Sequence, residues 1–292
     1  MKLVRFGPPG KEKPGIWIDD AFPGMPGILD VRAMAFDIAD FDAHFFTHFG
    51  VERLKCLLAE PRRTIVPGLG MRLGPPIARP AQIVCVGKNY AEHAKETGSE
   101  PPKEPVFFLK AVSSLNGSTD PIMLPPESKR VDAEAELAVV FAKCARRVTE
   151  DDALSYIAGY TIVNDVSDRD AQYENGQWFR GKSFDSFCPC GPWLVTPDEI
   201  SDPQNLAVKQ TLSGEELQND KTSNMLFSVA RLIAALTRNI TLEPGDILAT
   251  GTPAGIGSAR NPPRVLCAGD VVEIEITGLG RQRSPVVAEK KD

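Results

Sequence analysis

The stretch VDAEAELAVV, residues 131–140, sets Asp132, Glu134 and Glu136 at every second position, with Val131, Ala133, Ala135, Leu137 and Val139 between and after them. Strict alternation predicts a half-buried strand that carries the three acids on one face. Next-but-one side chains on a strand stand only about 6–7 Å apart, so the charges repel. Two readings are open. A hard divalent cation, which takes oxygen ligands, would turn repulsion into attraction. A solvated strand edge would merely screen it. Glu273 and Glu275 in VVEIEITG have the same spacing and form an internal control. Mg²⁺ wants more than two ligands, and Asp165, at the end of the strand-like GYTIVND, is the candidate for a third carboxylate.

A second constellation lies in NYAEHAKETG, residues 89–98. Asn89 could cap a short helix and Gly98 could end it, which puts His93 and Glu96 on one face. A carboxylate that orients a histidine makes a general base; an incidental surface pair is the other reading. The GSEPPKEP that follows would let this segment move as a flap. His44 and His48 are also one helical turn apart, but no nearby acid completes a site, so they read as surface or packing residues. TGTPAGIG, residues 250–257, matches neither the dinucleotide fingerprint nor the P-loop. It suits a tight loop that presents N–H groups and threonine hydroxyls to an anion. Lys182, in RGKSFDSF, could meet an anionic substrate or stay solvated. No Gly-x-Ser-x-Gly elbow is present.

These residues need elements to hold them. Residues 1–73 read as a small leading domain with short helical patterns, Leu54, Leu57 and Leu58 sharing a face. PGLGMRLGPPIARP, residues 67–80, is dense in Gly and Pro and reads as a linker. The catalytic unit is expected over 74–285 and a tail over 286–292. The clearest helical pattern is TSNMLFSVARLIAALTRN, with Met225, Leu226, Val229, Leu232, Ile233 and Leu236 on one face. EPGDILATG and AGDVVEIEITG each place Gly-Asp just before a β-branched run, the mark of a turn that launches a strand.

The chain has 292 residues, 42% hydrophobic and 25% charged, with net charge -6. It is long enough for a core without disulfides. The charge and the absence of a basic tract argue against nucleic acid and anionic membrane surfaces, but not against a small anionic substrate. Six scattered cysteines without a Cys-x-x-Cys pair read as mostly free, buried thiols of a reducing compartment. No apolar signal core or 18-residue apolar run is present, so cytoplasm is the expected location.

Taken together, VGKNYAEHAKE, DAEAELAVV, GYTIVNDVSDRDAQ, GKSFDSFCPCGPWLV and LEPGDILATGTPAGIG resemble the fumarylacetoacetate hydrolase family, in order and spacing, from about residue 81 to 285. The leading unit resembles the variable first domain of longer members. DEISDPQNL and AGDVVEIEITGLGRQR resemble its bacterial branch, often labelled ureidoglycolate lyase or diketo-deoxy-sugar-acid hydrolase. The resemblance implies an α+β fold: a β-rich, mixed β-roll with short flanking helices, usually dimeric. It implies Mg²⁺, with Mn²⁺ or Ca²⁺ as alternatives, on Glu134, Glu136 and Asp165. It implies a water-activating dyad, His93 and Glu96, on a lid, and Lys182 beside the metal. Lys110, Arg169, Gln172 and Thr252 fall at positions that touch substrate or support the site. Asp132 is not a family ligand. Departures are Asp168, where Ala is frequent, and Lys221 and Asn224 in KTSNM; they bear on which substrate is recognised. The activity expected is Mg²⁺-dependent C–C hydrolysis of a 2,4-dioxo acid to pyruvate and a carboxylic acid. The alternatives are a metal-dependent lyase or decarboxylase of the oxaloacetate or ureidoglycolate type, and a non-catalytic metal- or ligand-binding protein on the same fold.

Overall fold

A computed structural model describes residues 1–290. The leading segment forms β1 (Lys2–Phe6), β2 (Lys13–Phe22) and β3 (Met25–Asp30), then helices α1 (Val31–Met34), α2 (Ala43–Thr47) and α3 (Gly50–Ala59), and β4 (Ile65–Pro67). Next come β5 (Leu73–Gly74), β6 (Ile83–Gly87), α4 (Ala91–Glu96), β7 (Val106–Lys110), β8 (Leu115–Gly117) and β9 (Ile122–Leu124). The acid-bearing stretch makes β10 (Val131–Asp132) and β11 (Ala135–Phe141), followed by β12 (Ile157–Asn164), β13 (Ser167–Asp168), α5 (Arg169–Tyr173) and α6 (Phe179–Lys182). The remainder is β14 (Cys188–Cys190), β15 (Leu194–Val195), β16 (Ala207–Leu212), β17 (Glu215–Lys221), α7 (Val229–Thr237), β18 (Ile247–Ala249), β19 (Val271–Ile276) and β20 (Gly280–Ala288).

The strands build two main sheets. The larger runs β4-β3-β2-β1-β15-β12-β11-β18-β6-β7, with β5, β8 and β14 joined at its side. The smaller runs β17-β16-β19-β20-β9. Most pairs are antiparallel, but β6 with β18, β8 with β14 and β9 with β20 are parallel, so both sheets are mixed. The fold is β-rich with short helices, as the α+β expectation has it. The leading segment is hydrogen-bonded into the larger sheet through β1 and β15, and its Leu3, Ile16 and Leu29 share a core with Ile83, Ala138 and Ile247. Residues 286–288, placed in a tail by the sequence, are strand: they pair with β9.

Strand β11 is buried on both faces rather than one. Leu137, Val139 and Phe141 enter one core cluster; Ala138 and Val140 enter another. Glu134 and Glu136 keep the parity of Ala138 and Val140, so the acids lie on an interior face and not on a solvated edge. Helix α7 starts later than its apolar periodicity suggested. Ser228 caps it, its hydroxyl accepting from the Arg231 N–H, while Met225 bridges to Tyr90 and the Leu226 N–H donates to the Asn89 carbonyl. Capping chemistry overrode periodicity there. The two Gly-Asp turns do launch β18 and β19, Asp246 accepting from the Gln82 and Glu243 N–H groups and Asp270 from the Cys267 N–H.

All six cysteines are free, and Cys56, Cys144 and Cys267 are exposed, more than the sequence implied. Burial beneath the site pushes the Cys188 thiol up to about 12. His44 and His48 stack at 3.9 Å between ring centroids, a packing pair. Among the described residues no helix is long and apolar enough to cross a membrane.

Candidate active site

Antiparallel register brings the acids together. Ala135 on β11 lies opposite Asn164 on β12, and the Asp165 N–H donates to the Glu134 carbonyl at 2.9 Å. Asn164 Oδ1 in turn accepts from the Glu134 N–H at 3.1 Å. The end of β12 is thereby tied to the break between β10 and β11, and Asp165 joins Glu134 and Glu136. One carboxylate oxygen from each lies within 4.8 Å of the others, and all three residues are buried.

Three cations meet these acids. Lys182, at the end of α6, donates from Nζ to Glu134 Oε2 and to Asp165 Oδ2, both at 2.7 Å. Arg169, first residue of α5, donates from Nη2 to Glu134 Oε1 at 2.6 Å and to Asp132 Oδ2 at 3.0 Å. Lys110, ending β7, donates to Asp165 Oδ1 at 2.7 Å and to the Val166 carbonyl at 3.1 Å. Helices α5 and α6 can close this tightly because residue 181 is glycine: a Cβ there would come within 2.6 Å of Gln172 Cα.

The electrostatics are uneven. Burial opposes ionisation of Glu134, yet Lys182 and Arg169, with His93 behind them, hold its carboxyl well below the usual carboxylate range. Glu136 goes the other way. Burial, then Asp165 and Glu134, push it well above that range, and only the Gly251 N–H, 2.9 Å from Oε2, donates to it. Burial also works against the Lys182 ammonium, but Asp165 and Glu134 raise its pKa and keep it charged. Four buried carboxyl groups thus face three buried cations, and Glu136 is the one without a cation partner. Clustered carboxylate oxygens, one of them lacking a cation partner, suit a hard divalent cation.

Helix α4 lies against the same cavity. His93 Nδ1 is 2.8 Å from Glu96 Oε1, and Glu96 Oε2 accepts from the Gly255 N–H at 2.8 Å. The glycine-rich loop therefore docks the helix through Glu96. Asn89 is not its cap. The N-cap is Tyr90, without a side-chain bond, while Asn89 is fully buried and joins α4 to two other segments. Gly98 does end the helix, with φ +70.

His93, Glu134, Glu136, Arg169, Gln172, Lys182 and Thr252 line one cavity with Lys88, Phe108 and Trp178. Two expected contacts differ in kind from the others. Lys110 is not on the cavity wall; it lies behind Asp165. Thr252 lines the wall, but its hydroxyl donates to the Ala135 carbonyl at 3.0 Å and accepts from Gln218 Nε2 at 2.8 Å. Asp132 stays outside the triad, accepting from the Gly257 and Ser258 N–H groups. Asp168 caps α5, its Oδ1 accepting from the Asp170 and Ala171 N–H groups. Lys221 and Asn224 are exposed, Asn224 donating to Asp220 Oδ1. Glu275 is exposed and Glu273 pairs with Arg281 and Arg283, so that pair is a surface one.

Sequence reasoning missed Lys88, Phe108 and Trp178. The aromatic pair meets edge to face at 5.3 Å, with Lys182 Nζ 5.1 Å from the Phe108 ring centre. Their only linear signal is position: Lys88 just before α4, Phe108 in the middle of β7 and Trp178 just before α6.

Known proteins share this architecture. A 2,4-didehydro-3-deoxy-L-rhamnonate hydrolase of Sphingomonas sp. (strain SKA58) is 44% identical over 98% of this chain and 96% of its own. A mitochondrial oxaloacetate tautomerase of Rattus norvegicus is 41% identical over 96% of this chain and 90% of its own. The structure of a maleylpyruvate hydrolase from Sphingobium sp. SYK-6, in complex with manganese (II) ion and pyruvate, superposes with TM-score 0.80 at 30% identity, over 99% of this chain and 100% of that one. The model of the fumarylacetoacetate (FAA) hydrolase C-terminal region matches residues 82–287, which hold every residue of the cavity, and the chain belongs to the fumarylacetoacetate hydrolase family.

Proposed function

We propose that this protein is a Mg²⁺-dependent hydrolase that cleaves the C3–C4 bond of a 2,4-dioxo acid to pyruvate and a carboxylic acid. The observation that carries the reading is the His93–Glu96 pair, fixed from behind by the Gly255 N–H, with His93 on the wall of the same cavity as Glu134 and Glu136, which Asp165 joins from beneath. Tautomerisation and decarboxylation need no base for water; hydrolysis does. The sugar acid named for the Sphingomonas relative is, by that name, oxidised at C2 and C4, which is the 2,4-dioxo pattern. The manganese and pyruvate bound to the maleylpyruvate hydrolase support a metal and a pyruvate-like product here.

A divalent ion on Glu134, Glu136 and Asp165 would supply Lewis-acid charge to the 2-oxo acid end of the substrate. The chain's own groups do the rest. With Nδ1–H donating to Glu96, His93 Nε2 is free to take a proton from water. The hydroxide oxygen adds to C4, the C3–C4 bond breaks, and its electron pair passes to the C2 oxygen as pyruvate enolate. C3 then takes up the proton held by His93. Lys182 places a permanent positive charge beside the developing negative one. Arg169 and Gln172, joined at 3.0 Å, form the wall against which the substrate orients.

A second reading, keto–enol tautomerisation of oxaloacetate, is favoured by the Rattus relative. It would use His93 and Lys182 without water attack. A panel of 2,4-dioxo acids and oxaloacetate, assayed with Mg²⁺ and with chelator, decides. Metal-dependent release of pyruvate plus one carboxylic acid supports hydrolysis. Turnover of oxaloacetate enol alone, with no C–C cleavage, overturns it. The same site is proposed to work in a homodimer.

A further inference from the structure

Gln218 lies in the middle of β17, in the smaller sheet, and is fully buried. Strand alternation fails there, because its neighbour Leu217 is buried too. Gln210 stands opposite Gln218 but Thr211 stands opposite Glu216, so Leu217 is the extra residue of a bulge. Bulges beside active sites re-aim side chains. We propose that Gln218 is a positioning residue for the carboxylate site. Together with Thr252 it fixes the backbone of Ala135, and through it the carboxylates of Glu134 and Glu136 on either side. This rests on the metal assignment in the hydrolase reading above.

Ala135 needs this support because one edge of its strand is open. β18 covers β11 only at Ala138, Val139 and Val140. Buried backbone groups must still be paired. Gln218 Oε1 accepts from the Ala135 N–H at 3.0 Å, and Thr252 Oγ1 donates to the Ala135 carbonyl at 3.0 Å. Gln218 Nε2 closes the link, donating to Thr252 Oγ1 at 2.8 Å and to the Pro253 carbonyl at 2.6 Å. Two side chains thus stand in for the missing strand. The glycine-rich loop can press onto β17 at this point because residue 255 is glycine. Its φ is +104, and a Cβ there would come within 2.2 Å of the Leu217 carbonyl oxygen.

The link reaches the site without touching its contents. Gln218 is not on the cavity wall, so it acts only through others. Thr252 is on the wall, but its one hydroxyl proton is spent on the Ala135 carbonyl, which makes it a support rather than a donor to substrate. Any shift of Ala135 carries Glu134 and Glu136 with it, and Mg²⁺ demands near-ideal placement of its oxygen ligands. Groups that hold ligands in this way set metal affinity almost as strongly as the ligands do. Gln282 supplies the comparison. It is as deeply buried, and its Nε2 donates to the Ile162, Pro189 and Gly191 carbonyls, none of them a neighbour of the three acids.

The test is calorimetric titration of the whole protein with Mn²⁺. Gln218→Met should raise the Kd for Mn²⁺ by about 10–100-fold, the usual effect of losing a group that orients a ligand. Gln282→Met should lower the unfolding midpoint in chelator, as Gln218→Met does, yet leave the Kd for Mn²⁺ unchanged. Thr252→Val cuts the same link from its other end and should weaken Mn²⁺ binding, and Thr252→Ser should restore it. If Gln218 and Thr252 act as one unit, the double variant should bind no more weakly than the weaker single one. Should Gln218→Met fail to fold, the Thr252 pair decides. A wild-type Kd in both Gln218→Met and Thr252→Val, or an equal loss in Gln282→Met, overturns the proposal and leaves the metal assignment standing. If wild type itself binds no Mn²⁺, the metal assignment fails and the proposal falls with it.

Discussion

Lys110 Nζ sits 2.7 Å from Asp165 Oδ1, and both side chains are completely shielded from solvent. The lysine therefore acts on the site from behind, through a carboxylate that faces the proposed metal. Lys110→Met keeps the bulk and removes the charge. Breaking a buried pair typically costs about 3–5 kcal/mol when the partner is left uncompensated; here Lys182 still holds Asp165 Oδ2, so the loss should be smaller than that. The midpoint of denaturant unfolding should fall accordingly in chelator, and Mg²⁺ should recover part of the loss. An unchanged midpoint would show that Asp165 does not depend on Lys110.

Glu136→Gln tests the metal site. It removes the carboxylate with the least compensation while leaving both faces of β11 packed. Mg²⁺ should no longer raise the thermal midpoint, and metal-dependent turnover should be lost. Glu275→Gln, at the same spacing on an exposed position, should match wild type in both measurements. Equal losses in the two variants would remove the triad assignment.

His93→Ala should lower hydrolysis by about 10²–10⁴-fold, the usual contribution of a general base. Glu96→Gln should have a weaker effect, since the imidazole stays but loses the carboxylate that holds Nδ1. Steady-state rates on a 2,4-dioxo acid, with the fold checked by circular dichroism, give the comparison. Wild-type rates in His93→Ala would make the pair a structural contact with no part in the chemistry.

Asp270 predicts an acid limb of stability. The Arg264 side chain is the main cause that holds its carboxyl down to about 2; burial opposes this, and Ser213 and the Cys267 N–H assist. A depressed folded pKa gives stability that is present above the ordinary value near 3.8 and is lost as pH falls toward about 2. Asp270→Asn should therefore be less stable than wild type at pH 7, and the gap should narrow below pH 3.8. Thermal midpoints across that range supply the measurement, and a gap that widens on acidification would contradict the sign.

The homodimer is tested by sedimentation at micromolar concentration. The expected species has twice the 31.7 kDa mass of one chain. A clean monomer that retains full activity would dismiss the assembly.

Much of the site could be read from the chain itself. Alternation in VDAEAELAVV placed Glu134 and Glu136 on one face, and helical spacing placed His93 beside Glu96, because both patterns are local and set by backbone geometry. The five strings of family resemblance carried the fold class. What alternation cannot say is which side of a strand meets solvent. That depended on a second core packing against Ala138 and Val140, which turned an apparent solvated edge into an interior face. The partnership of Glu134 with Asp165 came from the register of two strands, and the exclusion of Asp132 from two N–H groups more than a hundred residues away. Asn89 shows the limit most plainly. Its sequence context offered a helix cap, but burial left its amide to serve Thr250 and Phe227, because a buried amide must spend its hydrogen bonds where partners exist. Spacing along the chain determined which groups could act together; only the packing of distant segments decided which were buried, paired and charged.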